Sequence, residues 1–339
     1  MTVDLAVVGA TGAVGRTALD ILADRNFPMG NLRLFASARS AGRKLYTAWG
    51  KVEVEDLDKA DPQGIDLAIF SAGASRSRTH ALRFVEAGAV VVDNSSCFRM
   101  DPAVPLVVAD VNDHALRSHG GIIANPNCTT MVLMMAVAPL HRAAGLRSMV
   151  ATSFQSVSGS GQKGVSELSG QIEHFRGDRS GLVRGGWVDP GGEVYGRPIG
   201  FNVLPLAGSE TDSHYTDEEW KLVNESRKIL EQPELVVEPT CVRVPVMVGH
   251  GLAASVWFDR PVSRSEALQI LSEAPGVEVW NHMPPTPLDS AGGDQTLVGR
   301  VRETVGSLGG LNLWAVGDNL RKGAALNAVQ LTERLLLQT

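Results

Sequence analysis

Val3-Asp4-Leu5-Ala6-Val7-Val8-Gly9-Ala10-Thr11-Gly12-Ala13-Val14-Gly15 is the stretch on which the reading of the fold turns. An apolar run of strand length ends in a glycine-rich turn, and a helical pattern over about 16–23 follows it. Glycines in such a turn let the backbone bend tightly and approach a diphosphate, which then rests on the helix N-terminus. The spacing is G-x-x-G-x-x-G and not the G-x-G-x-x-G fingerprint, so the order strand, turn, helix carries the reading. The alternative is a tight turn with no ligand. Gly9, Thr11, Gly12, Ala13 and Val14 are the candidate cofactor contacts.

Further along, short β-rich runs alternate with helical stretches, the pattern of a parallel α/β sheet. Segments 32–36, 66–70, 89–92, 106–108 and 121–124 read as strands. The second strand runs into Ser37-Ala38-Arg39-Ser40 with no acidic residue to take a ribose 2′-hydroxyl. Arg39 can pair with a 2′-phosphate, and Ser37 and Ser40 can donate to one, which favours NADP(H) over NAD. The alternative for Arg39 is a solvated loop residue.

From about residue 128 the pattern changes. Segment 129–144 reads as a helix and 149–157 as a strand, while 177–200 is a Gly-, Pro-, Arg- and Asp-rich excursion. A helix over 217–230 is capped by Thr216 and another over 263–274 by Ser263. Segment 235–259 is mostly strand, with a hairpin bend near 249–251. Strands over 296–303 and 311–316 precede a final amphipathic helix over 322–337. The expected organisation is a dinucleotide-binding domain over 1–127 plus the C-terminal segment 320–339, and a second domain over 128–319.

Composition narrows the function classes. With 44% hydrophobic and 20% charged residues in 339, the chain lies in the ordinary globular range. A net charge of −6 argues against a nucleic-acid binder, which would carry a basic face. No stretch is long and apolar enough to suggest a membrane span, and the opening residues lack the basic region of a secretory signal. The three cysteines, Cys97, Cys128 and Cys241, show neither disulfide nor metal spacing, which suggests a reducing, cytoplasmic setting and no metal.

One cysteine stands apart. In Asn125-Pro126-Asn127-Cys128-Thr129-Thr130 a strand has ended, Asn-Pro makes a turn, and Cys128 opens a helix. Unpaired N–H groups and the dipole at a helix N-terminus favour thiolate. A thiolate beside a bound cofactor could attack a carbonyl; a buried structural cysteine is the competing reading, and position alone leaves the two even.

The segment 125–130 resembles the nucleophile segment of the aspartate-semialdehyde dehydrogenases. The resemblance continues in order through 8–15, Phe70-Ser71-Ala72-Gly73, Val92-Asp93-Asn94-Ser95, Pro105-Leu106-Val107-Val108, Gln155-Ser156-Val157-Ser158-Gly159, Cys241-Val242-Arg243-Val244-Pro245 and Asp318-Asn319-Leu320, so it covers nearly the whole chain. It implies a Rossmann-type NADP-binding domain joined to an α+β catalytic and dimerisation domain. It implies reductive dephosphorylation of L-aspartyl 4-phosphate to aspartate semialdehyde with release of phosphate, through a thioester on Cys128. That reaction serves the biosynthesis of lysine and diaminopimelate, methionine, threonine and isoleucine. Family members are homodimers, in some cases tetramers.

The resemblance also assigns roles. His250, in Val246-Met247-Val248-Gly249-His250, matches the acid–base histidine, and an imidazole suits proton transfer near neutrality. Gln155 matches the residue that orients the acyl intermediate, and Arg243 the clamp on the substrate carboxylate. Glu218 and Lys221 share a helix face; they match contacts to the substrate amino group and phosphate. Arg99 matches a phosphate-binding arginine, and Ser158, Gly159 and Asn319 match cofactor contacts. Taken singly, each of these residues has an ordinary reading as surface or strand polarity. The sister N-acetyl-glutamyl-phosphate reductases share the architecture, but Asn127 before Cys128 and the Glu218–Lys221 pair favour the aspartyl enzyme. A nicotinamide-binding sensor without turnover is the alternative of a different class.

Overall fold

The computed structural model describes residues 2–177, 179–306 and 309–337. It divides into two compact units, one of Met1–Ala138, Asn224–Glu234 and Leu320–Thr339, the other of Pro139–Val223 and Leu235–Asn319. Asp178 of the 177–200 excursion and the last two residues of 320–339 lie outside the described residues.

In the first unit the strands are β1 (Val3–Val8), β2 (Met29–Ala36), β3 (Lys44–Thr47), β4 (Gly50–Asp56), β5 (Leu67–Phe70), β6 (Val90–Asp93) and β7 (Ile122–Ala124). They form one sheet in the order β3-β4-β2-β1-β5-β6-β7. All neighbours are parallel except the β3–β4 pair at the edge. The order reverses between β1 and β5, the switch point where a doubly wound sheet opens a crevice for a ligand. Helix α1 (Ala13–Asp24) leaves β1 there, and α2 (Ala74–Glu86) leaves β5. α1 buries Ala18, Leu19, Ile21 and Leu22 against the core that holds Leu5 and Val7. The β3–β4 hairpin went unread in the sequence, although Leu45, Val52 and Val54 alternate with polar residues over 44–55.

Segment 106–108 corrects an expectation, for it is not a strand. Only Leu106 makes an isolated bridge, to Ala124. Buried backbone still needs partners, and side-chain amides supply them. Asn112 accepts from Val108 N (2.8 Å) and donates to the Leu106 carbonyl (2.9 Å). Asn327 accepts from Ala109 N (2.9 Å) and donates to the Val107 carbonyl (3.0 Å). A sequence pattern of apolar residues cannot separate this extended segment from a paired strand.

α3 (Cys128–Ala144) leads to β8 (Leu146–Gln155), and then come α4 (Gly161–His174), α5 (Arg179–Arg184), α6 (Asp217–Ile229), β9 (Val236–Arg243), β10 (His250–Phe258), α7 (Arg264–Ser272), β11 (Val277–Trp280), α8 (Pro287–Ser290), β12 (Thr296–Glu303) and β13 (Gly310–Gly317). The second sheet is mixed, in the order β11-β12-β13-β10-β8-β9. The expected hairpin over 235–259 is absent: β9 pairs with β8 in parallel and β10 pairs with β8 antiparallel, so β8 lies between them. Both helix caps expected from sequence form. The Thr216 hydroxyl accepts from Glu219 N (3.1 Å) while the Glu219 carboxylate accepts from Thr216 N (2.7 Å), and Ser263 accepts from Glu266 N.

The last helix begins with a wide turn over Arg321–Ala325 and continues as α9 (Leu326–Leu336), which buries Leu326, Val329 and Leu331 in the first unit's core. Segment 224–234, read from sequence as part of the second domain, groups with the first unit because of bonds made by Glu225 and Lys228. The Lys228 ammonium donates to the carbonyls of Arg99, Asp101 and Val104.

Gly9 has φ +87°, and a Cβ added there would run into the Ser71 carbonyl on the neighbouring strand end. Gly9→Ala is expected to cost about 3 kcal/mol or more, from left-handed strain plus displaced backbone. Urea unfolding of the variant measures it, and an unshifted midpoint would show that the turn is not held as described.

Candidate active site

At the end of β1, Gly9 N and Ala10 N donate to the Phe35 carbonyl (2.8 and 3.2 Å), and Gly12 N donates to the Gly9 carbonyl (2.9 Å). Gly12 is the N-cap of α1 and provides no side-chain cap. The first-turn N–H groups opened by Ala13 and Val14 are thus left to an anion, which is the fit a diphosphate needs. Thr11 Oγ1 lies 3.5 Å from Ser40 Oγ, and Ser40 N donates to the Ser37 carbonyl (2.8 Å), so Thr11, Ser37 and Ser40 are brought together. Arg39 is exposed beside them.

Cys128 is the first residue of α3. Asn127 caps that helix through Oδ1, which accepts from Thr129 N (2.9 Å) and Thr130 N (3.4 Å). The turn before it is tied down by side chains. Arg99 donates from Nε to the Asn125 carbonyl (2.9 Å) and from a terminal nitrogen to the Asn94 carbonyl (2.8 Å). Asn125 exchanges further bonds with Asn94 (2.6 Å) and Asn327 (2.6 Å). Cys128 is half-buried, whereas Cys241 is fully buried and its thiol is pushed up to about 12, chiefly by loss of water. Cys241 is therefore an inert core thiol.

In the second unit the sheet register places three polar residues side by side. Gln155 ends β8 opposite Arg243, which ends β9, and His250 opens β10 next to the Gly251–Phe154 pair. Gln155 donates to Glu218 (3.2 Å); Glu218 in turn accepts from Lys221 (3.1 Å), which also binds Asp217 (2.6 Å). Burial opposes the Lys221 charge, but the two carboxylates outweigh it and raise its pKa. Ser158 and Asn319 bond to each other, and Asn319 Oδ1 also accepts from Ser156 Oγ (3.1 Å) and Gly249 N (2.9 Å). A Cβ at Gly159 would lie 3.1 Å from Arg243 and 3.3 Å from His250 Nε2, so the missing side chain keeps the space between those two groups open.

Arg243 is 7% exposed and donates to the Ser156 carbonyl (2.9 Å), yet its Nε finds no acceptor among the described residues. A buried guanidinium with an idle N–H is a poor structural element and a good carboxylate receptor. Sequence reading missed what lies over it. Tyr195, from the 177–200 excursion, sets its ring 5.7 Å from the guanidinium and its hydroxyl on the Val157 carbonyl (3.4 Å). Gly164 makes room for that hydroxyl. No local spacing could have revealed it, since Tyr195 and Arg243 are far apart in sequence.

His250 is fully buried and its Nδ1 accepts from Ser156 N (3.1 Å). The ring proton of the neutral form therefore sits on Nε2. Burial first, and then the Arg243 charge, push its pKa down to about 3.

Residues 4–119 match the semialdehyde dehydrogenase NAD-binding domain, and residues 137–322 match the semialdehyde dehydrogenase dimerisation domain. The chain belongs to the aspartate-semialdehyde dehydrogenase family. It is 53% identical to the aspartate-semialdehyde dehydrogenase of Streptomyces akiyoshiensis over 96% of each chain, and 50% identical to that of Mycolicibacterium smegmatis over 98% of this chain and 99% of the other. The crystal structure of aspartate semialdehyde dehydrogenase II from Vibrio cholerae, also solved complexed with ASA, superposes with a TM-score of 0.93 at 40% identity, covering 99% of both chains. The first unit is thus a family NAD-binding domain of Rossmann type, and the second carries the family's dimerisation domain. No helix among the described residues is long and apolar enough to cross a membrane.

A depressed His250 pKa has a signed consequence. Above the unfolded value of 6.5 neither state is protonated, and as pH falls toward about 3 only the unfolded chain takes the proton, so stability is lost across that window. His250→Asn is expected to flatten the fall in stability between those limits. The wild-type ring should stay neutral when followed by NMR to about pH 4; titration near 6.5 would overturn the buried assignment.

Proposed function

We propose that the chain reduces L-aspartyl 4-phosphate to L-aspartate 4-semialdehyde with NADPH, releasing phosphate, in amino-acid biosynthesis in the cytoplasm. The observation that carries this reading is the buried, under-bonded Arg243 beside a neutral His250, in a chain that belongs to the aspartate-semialdehyde dehydrogenase family. Gly9, Thr11, Gly12, Ala13 and Val14 would cradle the cofactor's diphosphate, with Ser37, Arg39 and Ser40 at a 2′-phosphate and Ser158, Gly159 and Asn319 toward the nicotinamide. When bound, that cofactor supplies a hydride to the acyl carbon.

Cys128 acts as thiolate. Its sulfur bonds to the acyl carbon, the carbon–oxygen bond to phosphate breaks, and a thioester remains. Arg99 and Lys221 balance the leaving phosphate, Arg243 forks onto the substrate carboxylate, and Glu218 takes the amino group. Gln155 holds the acyl oxygen. After reduction the carbon–sulfur bond breaks, aldehyde leaves and the thiolate returns. His250, protonated on Nε2, donates to the oxygen on which negative charge develops.

With aspartate semialdehyde, inorganic phosphate and NADP, nicotinamide absorbance should rise only when phosphate is present, and more slowly with NAD. Cys128→Ala should fold, bind NADP and lose roughly four orders of magnitude in kcat. Comparable turnover in that variant removes Cys128 from the mechanism.

The assembly is proposed to be a homodimer formed by the second unit. Its dimerisation-domain match supports this, as do the exposed apolar side chains Val150, Phe201, Val203, Leu206 and Val236. Light scattering should return twice the 36.0 kDa chain mass; a monomer at micromolar concentration would exclude it.

A further inference from the structure

Glu225 is a carboxylate in the third turn of α6, and it is 1% exposed. Burying such a charge is costly unless it is bonded on all sides. One oxygen pairs with Arg99 at 3.0 Å, and the other accepts the backbone N–H of Asn127 at 2.6 Å. Asn127 is the residue before Cys128, and Arg99 grips the carbonyl of Asn125 in the same turn. The carboxylate and the guanidinium therefore hold the Asn125–Asn127 turn from its two ends.

We propose that Glu225 is a positioning residue for Cys128, fixing the peptide that carries the nucleophile while balancing the positive charge of Arg99. The inference rests on the reading of Cys128 as nucleophile. An apolar residue of similar size could fill the space at no loss of stability, but it could neither orient the Asn127 amide nor neutralise Arg99. Two separable consequences follow. Loss of the charge leaves Arg99 unbalanced near a helix N-terminus, which favours thiolate. Loss of reach loosens the turn, and a nucleophile misplaced by about 1 Å costs about 10²-fold in rate. The two effects have opposite sign on thiol reactivity and on turnover, a combination that simple destabilisation does not produce.

The test compares Glu225→Gln and Glu225→Asp in the full chain, each checked for folding by circular dichroism. Iodoacetamide modification of Cys128 is followed against pH and mapped by mass spectrometry, with Cys97 as internal control. Turnover is measured with aspartate semialdehyde, phosphate and NADP. In Glu225→Gln, Cys128 should be about tenfold more reactive at acid pH, with kcat down about 10²-fold. In Glu225→Asp the charge remains and the reach is shortened, so the thiol profile should be that of wild type with kcat still reduced. A wild-type thiol profile in folded Glu225→Gln overturns the proposal. If that variant does not fold, wild-type kcat in Glu225→Asp overturns it instead. Failure of the nucleophile assignment registers elsewhere, as turnover in Cys128→Ala.

Discussion

Irregular backbone that is buried must find partners for its own amides and carbonyls, and the first unit depends on how it does so. Between β6 and α3 the chain makes little regular structure, yet its core neighbours exclude water. Each unsatisfied group would cost about 1–3 kcal/mol. Asparagine side chains, which donate and accept at once, fill the gap: Asn112 and Asn327 serve segment 106–109, and Asn94 and Asn125 serve the turn before Cys128. Asn327 belongs to both groups, so the C-terminal helix is bonded into the segment that ends at the thiol. Lys322 adds to this anchorage, donating to the Ala109 carbonyl and to Gln330. Its burial pulls its pKa down to about 8 against the opposing pull of Asp110.

The second unit holds its charges in two different ways. Lys221 rests between Asp217 and Glu218, and Glu218 also accepts from Gln155. At partial burial such ion pairs are worth little each. Arg243 is treated otherwise: strand register and the Tyr195 ring fix it, and one of its donors is left idle. Sites where charge is pre-placed in a dry pocket recognise a carboxylate at little reorganisation cost.

Much of this was legible in sequence, because local rules govern it. The β1 turn, the two helix caps, the helix opening at Cys128 and the alternation of strands all follow from residues within a few positions of each other. The misreadings share one cause. Segment 106–108 has the apolar run of a strand, but beyond its single bridge to Ala124 its backbone is bonded by side chains from 112 and 327, and 235–259 looks like a hairpin because nothing local announces that β8 will lie between its halves. Tyr195 and Glu225 escaped for the same reason: their partners, Arg243 and Asn127, are distant in sequence. Pairings set by long-range register are where a single sequence stops speaking.

A histidine whose pKa is pushed down to about 3 is poorly suited to carry a proton near neutrality, but it is well suited to donate a hydrogen bond. Desolvation is the larger cause of that low value, and the Arg243 charge is the next. A carboxylate bound to Arg243 cancels the second cause and leaves the first. In the unliganded chain the imidazole is neutral near pH 7, with its proton on Nε2. Neutral imidazole is a weak acid but a competent hydrogen-bond donor. Beside a carbonyl oxygen that is becoming an anion, such a donor gains strength as the charge grows. Fully ionised imidazolium would compete with Arg243 for the substrate carboxylate and would bind ground state and transition state more alike. Burial of His250 therefore keeps an uncharged ring beside the charged Arg243, which is the division of labour that the proposed mechanism requires of the two residues.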